Sequence, residues 1–345
     1  SEPALPAALA AGAAEARAAF GDGSVYLERE IVGARHIEVQ LLGDRQGTIV
    51  AIGERDCSIQ RRHQKLLEEA PAPGLSPKER RDLHEMAVRI GRSTRLENAV
   101  TAEFLFDVER RFWFLEVNTR LQVEHCVTEL VADLDIVREQ LFLAAGRPLS
   151  DQSRAAAAGA AMPARHALEI RISAEDPARD FAPAPGQIGR WEMPAGPGVR
   201  VDAAVQAGER IPPDYDPLIA KIIVVDADRP AAIARLGRAL AETEITGVQT
   251  TLPFHRAVIV EPGFLEGAMT TDWVDEHWAE RLLPLRAGAL RAAILAAADA
   301  VIRAPGPVRG PADEGLTRAT VRQGSRSASE WASAGRRAGV ERWPR

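Results

Sequence analysis

The sequence predicts an α+β fold in which an antiparallel sheet with helices is followed by a second α+β region. The main observation is a pair of runs, 100–107 and 111–118, that alternate apolar and polar side chains around a short polar turn. Such alternation is typical of an antiparallel hairpin. Further along the chain, several strand-like segments precede one helical pattern at 230–242. Strands grouped ahead of a helix indicate α+β organisation rather than alternating βα units.

The first part of the chain contains a predicted helix, three predicted strands and a basic segment. Residues 3–20 are rich in alanine and are followed by glycine, which predicts a helix. Alternating patterns at 24–31 and 36–42, and a third run near 48–54, predict strands. Residues 55–65 are so polar and cationic that we expect a loop rather than a core strand. Such a loop also concentrates anionic substrates.

Helix start signals follow the basic segment. Ser76 stands three residues before Glu79, and this pair predicts a capping box on a helix that runs to about residue 95. Thr128 predicts the start of another helix through Ala145, with Gly146 at its end.

Residues 151–164 are small and weakly patterned, which indicates a domain boundary. Strand patterns follow at 166–173, 187–193, 198–205 and 217–225. Short helical pieces are expected at 253–256 and 271–283, and one more helix at 284–302. The composition after Ala304, rich in Pro, Gly, Arg and Ser, predicts a flexible tail.

The hairpin carries two acids that its register brings together. A turn centred near residue 109 or 110 places Glu103 across from Glu116, and Asn118 points the same way as Glu116. Two carboxylates about 4 Å apart repel by roughly 4 kcal/mol at an effective dielectric of about 20, a cost that a cation removes. Carboxylate and amide oxygens suit Mg²⁺ or Mn²⁺. The other reading of the same spacing is a hairpin with a solvated charged face.

Residues 119–125 follow the hairpin directly. If this segment stays extended, Arg120, Gln122 and Glu124 project from one face beside the acids. Arg120 offers a planar fork for a small oxyanion, and Glu124 is placed to take a proton from it.

Composition excludes several classes of protein. Among 345 residues, 43 Lys and Arg stand against 49 Asp and Glu, and the net charge of −6 argues against nucleic acid as a general partner. Only two cysteines occur, which predicts no disulfide framework and is typical of the cytoplasm. No apolar run approaches the length of a membrane span, and the N-terminus has no basic region of a signal peptide. We therefore expect a cytoplasmic protein with no membrane partner.

Three stretches, taken together, resemble the ATP-grasp active site of biotin carboxylases. The first is Glu116-x-Asn118-Thr-Arg-x-Gln-Val-Glu-His125, the second is ERDCSIQRRHQK at 54–65, and the third is HALEIR at 166–171 with AEDP at 174–177. The resemblance covers about residues 1–275. It implies a partial ATP-grasp domain at 1–150, a linker at 151–164, a biotin carboxylase C-terminal domain at 165–283, and a helix with a flexible tail at 284–345.

The resemblance also implies roles for individual residues. Glu103, Glu116 and Asn118 would hold the metal, Arg120, Gln122 and Val123 would bind bicarbonate, and Glu124 would deprotonate it. Lys65 would neutralise charge near the γ-phosphate, and Arg171 would stabilise the biotin enolate. The residues expected near ATP are Glu28, Arg29, Ile31, His36, Gln60 and His63.

The implied function is ATP- and bicarbonate-dependent carboxylation of biotin, with Mg²⁺ or Mn²⁺ as cofactor and the biotin on a separate carrier domain. Residues 244–256 resemble the α-subunit type of acyl-CoA carboxylase most. The implied partners are a biotin carboxyl carrier domain, a carboxyltransferase subunit and a second copy of the chain.

Complete biotin carboxylases carry an N-terminal α/β domain, a Gly-rich loop and two phosphate-binding lysines ahead of the matched region. We therefore expect this chain to be a fragment with little turnover alone. Two alternatives stay open at this point: a non-catalytic assembly module that keeps the fold, and a different ATP-grasp ligase such as a carbamoyl-phosphate-forming enzyme.

Overall fold

The computed structural model describes residues 2–281, all of which belong to one compact unit. The helix and tail predicted for 284–345 lie outside the described residues. Among the helices that the structure describes, none is both long enough and apolar enough to cross a membrane.

One eight-stranded antiparallel sheet runs through the described chain. Its strands are β1 (Arg35–Gly43), β2 (Ile49–Arg61), β3 (Gln64–Ala70), β4 (Asn98–Phe106), β5 (Phe112–Asn118), β6 (His166–Ser173), β7 (Val199–Ala203) and β8 (Leu218–Asp226). The order across the sheet is β7-β8-β6-β3-β2-β1-β4-β5. Strands β3 and β6 pair directly, so the sheet continues across the two predicted domains.

Helices flank this sheet and connect its strands. They are α1 (Leu5–Phe20), α2 (Pro77–Ser93), α3 (His125–Ala132), α4 (Ile136–Ala144), α5 (Asp151–Gly159), α6 (Arg229–Glu242), α7 (Leu252–Val258) and α8 (Pro262–Leu265). Residues 273–281 are also helical. The predicted linker therefore contains a helix, α5, and the boundary at 151–164 stays a prediction.

Several apolar clusters stabilise the sheet, and two of them involve helices α2, α6 and α7. In one of them α2 places Leu83 against Ile37 of β1 and Phe104 of β4. In the other, α6 and α7 pack Leu236 and Phe254 against strands β6 and β8. These side chains are almost fully buried, and each contributes about 1.5–3 kcal/mol of transfer free energy.

The basic segment 55–65 was predicted wrongly as a loop. Strand β2 continues to Arg61, β3 begins at Gln64, and only Arg62 and His63 form the turn, both with positive φ. The error arose because a run of charges was assumed to need solvent. Arg55 is in fact fully buried, and acidic and polar side chains replace its water.

Three further predictions need correction. Residues 24–31 form no strand, since the alternating side chains there are exposed and the backbone has no neighbouring strand. The helix predicted from Thr128 to Ala145 is two helices, α3 and α4. They are separated at Asp133, which has a φ of 53°, and Asp135 caps the second. The predicted strand 187–193 is reduced to two-residue pairings at Gly186–Gln187 and Trp191–Glu192.

The capping box on α2 is confirmed. Ser76 Oγ accepts a hydrogen bond from the Glu79 amide, and the Glu79 carboxylate accepts one from the Ser76 amide. The helix begins with Pro77, as the sequence predicts.

Replacing Ser76 by alanine should lower the free energy of unfolding by about 1 kcal/mol, because a donor at the start of α2 then loses its acceptor. Urea unfolding followed by far-UV circular dichroism measures the change. Ser93→Ala, at the other end of the same helix, is the control and should change stability by less than about 0.5 kcal/mol. Equal effects of both substitutions would contradict a specific role for the cap.

Candidate active site

Strands β4 and β5 bring the two hairpin acids together as predicted. Glu103 pairs with Glu116, and Thr101 pairs with Asn118. The Asn118 amide nitrogen donates to Glu103 Oε1 and to Glu116 Oε1, both at 2.9 Å. Glu103 is buried and Glu116 is exposed, so the group lies where the inside of the protein meets solvent.

This group fits a hard divalent cation. The carboxylates of Glu103 and Glu116 both lie within hydrogen-bond distance of the Asn118 amide. A cation placed among these groups would therefore be close to all three side chains. Rotation of the Asn118 amide by half a turn presents its oxygen where the nitrogen now lies. Oxygen donors from acids and amides are the ligands that Mg²⁺ and Mn²⁺ prefer.

Lys65 links this group to the acid of the following loop. Its ammonium nitrogen contacts Glu38 Oε2 at 2.5 Å, Glu103 Oε1 at 3.1 Å and Glu124 Oε1 at 2.6 Å. Burial alone would lower the pKa of Lys65, but the acidic groups around it raise that pKa above its usual range. Burial would also raise the pKa of Glu103, yet His36 and Lys65 hold it well below the usual range. Lys65 and Glu103 are therefore both charged near neutral pH.

Arg55 lies at the centre of the same network and is fully buried. It donates hydrogen bonds to Glu38, Gln40, Thr101, Gln122 and Thr128. These partners lie on β1, β4, the loop after β5 and α3, so one guanidinium joins four parts of the site. Burial by itself would raise the pKa of Glu38, but Arg55 and Lys65 lower it to about 2.

The loop at 119–124 is not extended, contrary to the expectation for it. Gln122 and Glu124 are buried, while Arg120 is exposed and donates to the neighbouring Leu121 carbonyl at 3.3 Å. Gln122 donates to Glu103 Oε1 at 2.7 Å. Gln122 thus contacts Glu103 directly, and Glu124 is connected to it through Lys65. Arg120 lies at the surface, and its role in binding an oxyanion stays a prediction.

Arg171, on β6, reaches the same loop from the other side. Its Nη2 donates to Glu124 Oε2 at 2.9 Å, and its Nε donates to Glu68 Oε1 at 2.5 Å. Lys221 of β8 donates to the Val123 carbonyl at 2.6 Å. Glu124 therefore lies between two cations, Lys65 and Arg171.

The residues predicted to contact ATP are only partly brought together. His36 is buried, with its Nε2 2.7 Å from Glu103 Oε2, and Gln60 is buried on β2. His63 is exposed in the turn between β2 and β3. Glu28, Arg29 and Ile31 belong to the irregular segment before β1, where the Arg29 guanidinium lies over the Trp113 ring at 5.2 Å. Their roles stay predictions.

Sequence reasoning missed several charged members of the network. Glu38, Arg55, Glu68 and Lys221 all bond to predicted site residues or to their backbone. One signal was available for Glu38, because it lies two residues after His36 on the same strand and so shares its face. The other three are brought in by contacts between distant strands.

A cavity of about 370 Å³ lies between β2, α3 and α5, and Thr128, which accepts a hydrogen bond from Arg55, is one of its lining residues. None of the predicted site residues lines it. The charged network, rather than the cavity, is therefore the candidate site.

Two family models match the chain. The model described as "Carbamoyl-phosphate synthase L chain, ATP binding domain" matches residues 1–152, and the one described as "Biotin carboxylase C-terminal domain" matches residues 169–276. The chain is 48% identical over 263 residues to a biotin carboxylase from Nostoc sp., covering 76% of this chain and 58% of that protein. It is 42% identical to the biotin-dependent acyl-coenzyme A carboxylase alpha3 subunit of Mycobacterium leprae, covering 78% and 45% of the two chains.

A solved structure shares the fold. The biotin carboxylase domain of Hydrogenobacter thermophilus 2-oxoglutarate carboxylase, a dimer crystallised with MgADP, ADP and bicarbonate, superposes with a TM-score of 0.76 at 40% identity. The match covers 80% of this chain and 60% of that one. The chain thus spans about 60% of the length of such relatives.

Glu68 and Glu169 form a buried acidic pair behind Arg171. They are directly opposite each other on β3 and β6, and both are fully buried. Burial is the largest effect on Glu68 and raises its pKa to about 7, although Arg171 opposes the shift. Burial and the charge of Glu68 raise the pKa of Glu169 well above its usual value.

This pair predicts a specific pH dependence of stability. A Glu68 pKa that rises from 4.5 in the unfolded chain to about 7 in the folded one stabilises the fold below pH 4.5. That contribution is lost as the pH rises through 7. In the Glu68→Gln variant this loss should be absent. Between pH 4.5 and 7.5 the free energy of unfolding of the variant should therefore rise relative to that of the parent chain, by up to about 3 kcal/mol. Urea unfolding at several pH values measures this, and parallel pH profiles would refute it.

Proposed function

This chain belongs to the biotin carboxylase family of ATP-grasp proteins, and we propose that its site carries out the carboxylation of biotin with ATP and bicarbonate. The observation that supports this best is the position of Glu124. Its two carboxylate oxygens contact Lys65 at 2.6 Å and Arg171 at 2.9 Å, beside the acids that fit a divalent cation.

Glu124 has the surroundings that a base for bicarbonate needs. Its two cationic neighbours, Lys65 and Arg171, attract the bicarbonate anion to its side. When the anion takes up the contacts of Lys65 or Arg171, Glu124 is left beside the bicarbonate hydroxyl. Transfer of that proton to Glu124 increases the charge on the oxygen that attacks the γ-phosphate of ATP.

Glu103, Glu116 and Asn118 would hold the divalent cation, which would supply positive charge against the ATP phosphates. Lys65 adds a fixed positive charge on the same side, since it contacts Glu103 and Glu124 together. Gln122 is bonded to both Glu103 and Arg55, so it sets the distance between the metal acids and the base.

The second half of the reaction uses Arg171. Attack of bicarbonate on the γ-phosphate gives carboxyphosphate and ADP, and carboxyphosphate breaks into CO₂ and phosphate. Phosphate then takes the proton from the biotin ureido nitrogen, and the charge that develops on the ureido oxygen needs a cation. Arg171 is 17% exposed at its side chain and is held by Glu68 and Glu124, so it can present a fixed guanidinium edge to that oxygen.

We further propose that the biotin is attached to a carrier domain and that the chain acts with a carboxyltransferase subunit and a second copy of itself. The relatives that match include a subunit of an acyl-CoA carboxylase, and the solved Hydrogenobacter domain is a dimer. The match of residues 169–276 to a biotin carboxylase C-terminal domain favours this function over carbamoyl-phosphate formation.

Glu124→Gln should lower the bicarbonate-dependent release of phosphate from MgATP by about 10²- to 10⁴-fold, because the base is lost while its shape is kept. Free biotin serves as acceptor. Binding of MgADP, measured by calorimetry, should change little in this variant, since Glu124 lies outside the metal group.

Glu116→Gln is the matched comparison, because it removes a metal ligand of the same size. It should weaken MgADP binding, whereas Glu124→Gln should not. If the chain alone shows too little turnover, residues 1–281 can be grafted into the Nostoc relative and both variants measured there. Full activity of Glu124→Gln in that chimera would contradict the proposed base.

A further inference from the structure

One face of the sheet, under the start of α3, carries four ionisable side chains in adjacent positions. Glu68 of β3 is directly opposite Glu169 of β6. Arg171 of β6 is directly opposite Lys221 of β8. Since Glu169 and Arg171 are two residues apart on one strand, all four side chains point to the same face. Both acids are fully buried and Lys221 is buried as well, so two acids and two bases meet out of contact with bulk solvent.

The two bases of this face hold the loop that carries Glu124. Lys221 Nζ donates to the Val123 carbonyl at 2.6 Å, and Arg171 Nη2 donates to Glu124 Oε2 at 2.9 Å. One base therefore fixes the backbone of the loop and the other fixes its acid.

The orientation of the Arg171 guanidinium depends on Glu68. The backbone of Arg171 is fixed separately, because its carbonyl accepts a hydrogen bond from Thr251 Oγ1 at 2.9 Å. At the other end of the side chain, Arg171 Nε donates to Glu68 Oε1 at 2.5 Å. Glu68 thus sets the angle at which the guanidinium approaches Glu124.

Each of the two acids keeps one buried carboxylate oxygen that has no hydrogen-bond partner among the described residues. These oxygens are Oε2 of Glu68 and Oε1 of Glu169. Buried polar atoms are normally paired, because an unpaired one loses its water without replacement. Side chains directly opposite on antiparallel strands have Cβ atoms about 4.5–5.5 Å apart, so the two carboxyl groups can reach each other. A single proton between them gives both unpaired oxygens a partner.

The distances indicate which acid carries that proton. Lys221 Nζ stays 3.4 and 3.5 Å from Glu169 Oε1 and Oε2, although it approaches the Val123 carbonyl to 2.6 Å. An ionised carboxylate attracts an ammonium group more strongly than a neutral carbonyl does. Glu68, in contrast, accepts a 2.5 Å bond from Arg171, as an ionised carboxylate does. Glu169 is therefore the protonated member of the pair.

The local charge balance leads to the same assignment. Arg171 and Lys221 bring two positive charges to three buried carboxylates, those of Glu68, Glu124 and Glu169. One proton among the three acids balances the group. Burial and the charge of Glu68 raise the pKa of Glu169 well above its usual value, which keeps the proton there at neutral pH.

Five other titratable side chains lie near the pair or its cations: Lys65, Cys57, His125, Cys126 and Asp202. The lysine is shared with the acids of the metal group, and the aspartate is already paired with Arg200 at 2.8 Å. Burial raises the pKa of both thiols and lowers that of the imidazole, so none of these three adds a charge at neutral pH. The excess of one carboxylate over the two bases therefore remains.

We propose that Glu169 stays protonated and donates its acid hydrogen to Glu68, which makes Glu68 a positioning residue for Arg171. The role given to Arg171 rests on the proposed function, whereas the shared proton does not. With the proton in place, a single negative charge orients Arg171 while its Nη2 reaches Glu124. Loss of the proton would put a second negative charge behind Arg171 and weaken its attraction for bicarbonate and for the ureido oxygen of biotin.

Infrared spectroscopy tests the proton directly, because a protonated carboxyl group has a C=O stretching band that a carboxylate lacks. The full 345-residue chain is measured at about pH 8.5, above the pKa of about 7 that burial gives Glu68, so that only Glu169 of the pair is protonated. We expect this band in the parent chain and its loss in Glu169→Gln. Glu68→Gln should keep the band but shift it to higher frequency, because an amide accepts more weakly than a carboxylate.

Glu175→Gln is the matched control, since burial also raises the pKa of Glu175, and the band should remain in this variant. No band in the parent chain, or a band that survives Glu169→Gln, would overturn the proposal, because Glu169 would then be ionised and paired with Lys221. If Glu169→Gln fails to fold by circular dichroism, Glu68→Gln decides. An unchanged band frequency in Glu68→Gln would show that the two acids share no hydrogen bond.

The positioning role is measured as bicarbonate-dependent release of phosphate from MgATP with free biotin as acceptor. Glu68→Gln should lower kcat by about 10- to 100-fold, because a misplacement of Arg171 by about 1 Å is enough for such a loss. The KM for MgATP should stay within about twofold, since Glu68 lies outside the metal group. Glu175→Gln should change neither value. An unchanged kcat in Glu68→Gln would contradict the positioning role, and a parent chain without turnover would count against the proposed function while the infrared band still decides the shared proton.

Discussion

The buried ion pair between Arg55 and Glu38 is the interaction on which the site depends. Both side chains are fully excluded from solvent, so each charge is stable only while the other is in place. Removing one partner of such a pair typically costs about 3–5 kcal/mol, because the other is left uncompensated. Arg55 also bonds to Gln122 and Thr128, so the pair ties the strands to the loop and to α3.

Two kinds of constraint position the reactive groups. The ladder between β4 and β5 sets the spacing of Glu103, Glu116 and Asn118, because register alone decides which side chains are opposite. Glu124 does not lie on a strand, so no β-ladder fixes its position. Its position depends on Lys65 from β3 and Arg171 from β6, which approach it from two sides. Glu124 is therefore positioned by tertiary contacts, and Glu103, Glu116 and Asn118 by secondary structure.

Local patterns were enough to predict much of the framework. The hairpin register and the capping box at Ser76 follow from contacts within a few residues or across one turn. The basic segment 55–65 failed because charge normally indicates exposure. Nothing near Arg55 in the sequence shows that Glu38, 17 residues earlier, would replace its solvent. The break at Asp133 likewise depends on packing around α3 and α4.

The sequence by itself determined the β4–β5 hairpin, the capping box at Ser76 and the three motifs whose resemblance indicates a biotin carboxylase, because each of these is encoded in short-range spacing. Only the tertiary structure decided that Glu124 lies between Lys65 and Arg171 and that Arg120 stays at the surface. The physical reason is that strands β3, β6, β7 and β8 become neighbours of the loop only when the sheet closes in its observed order. Contacts between residues 47 to 76 positions apart cannot be inferred from local spacing.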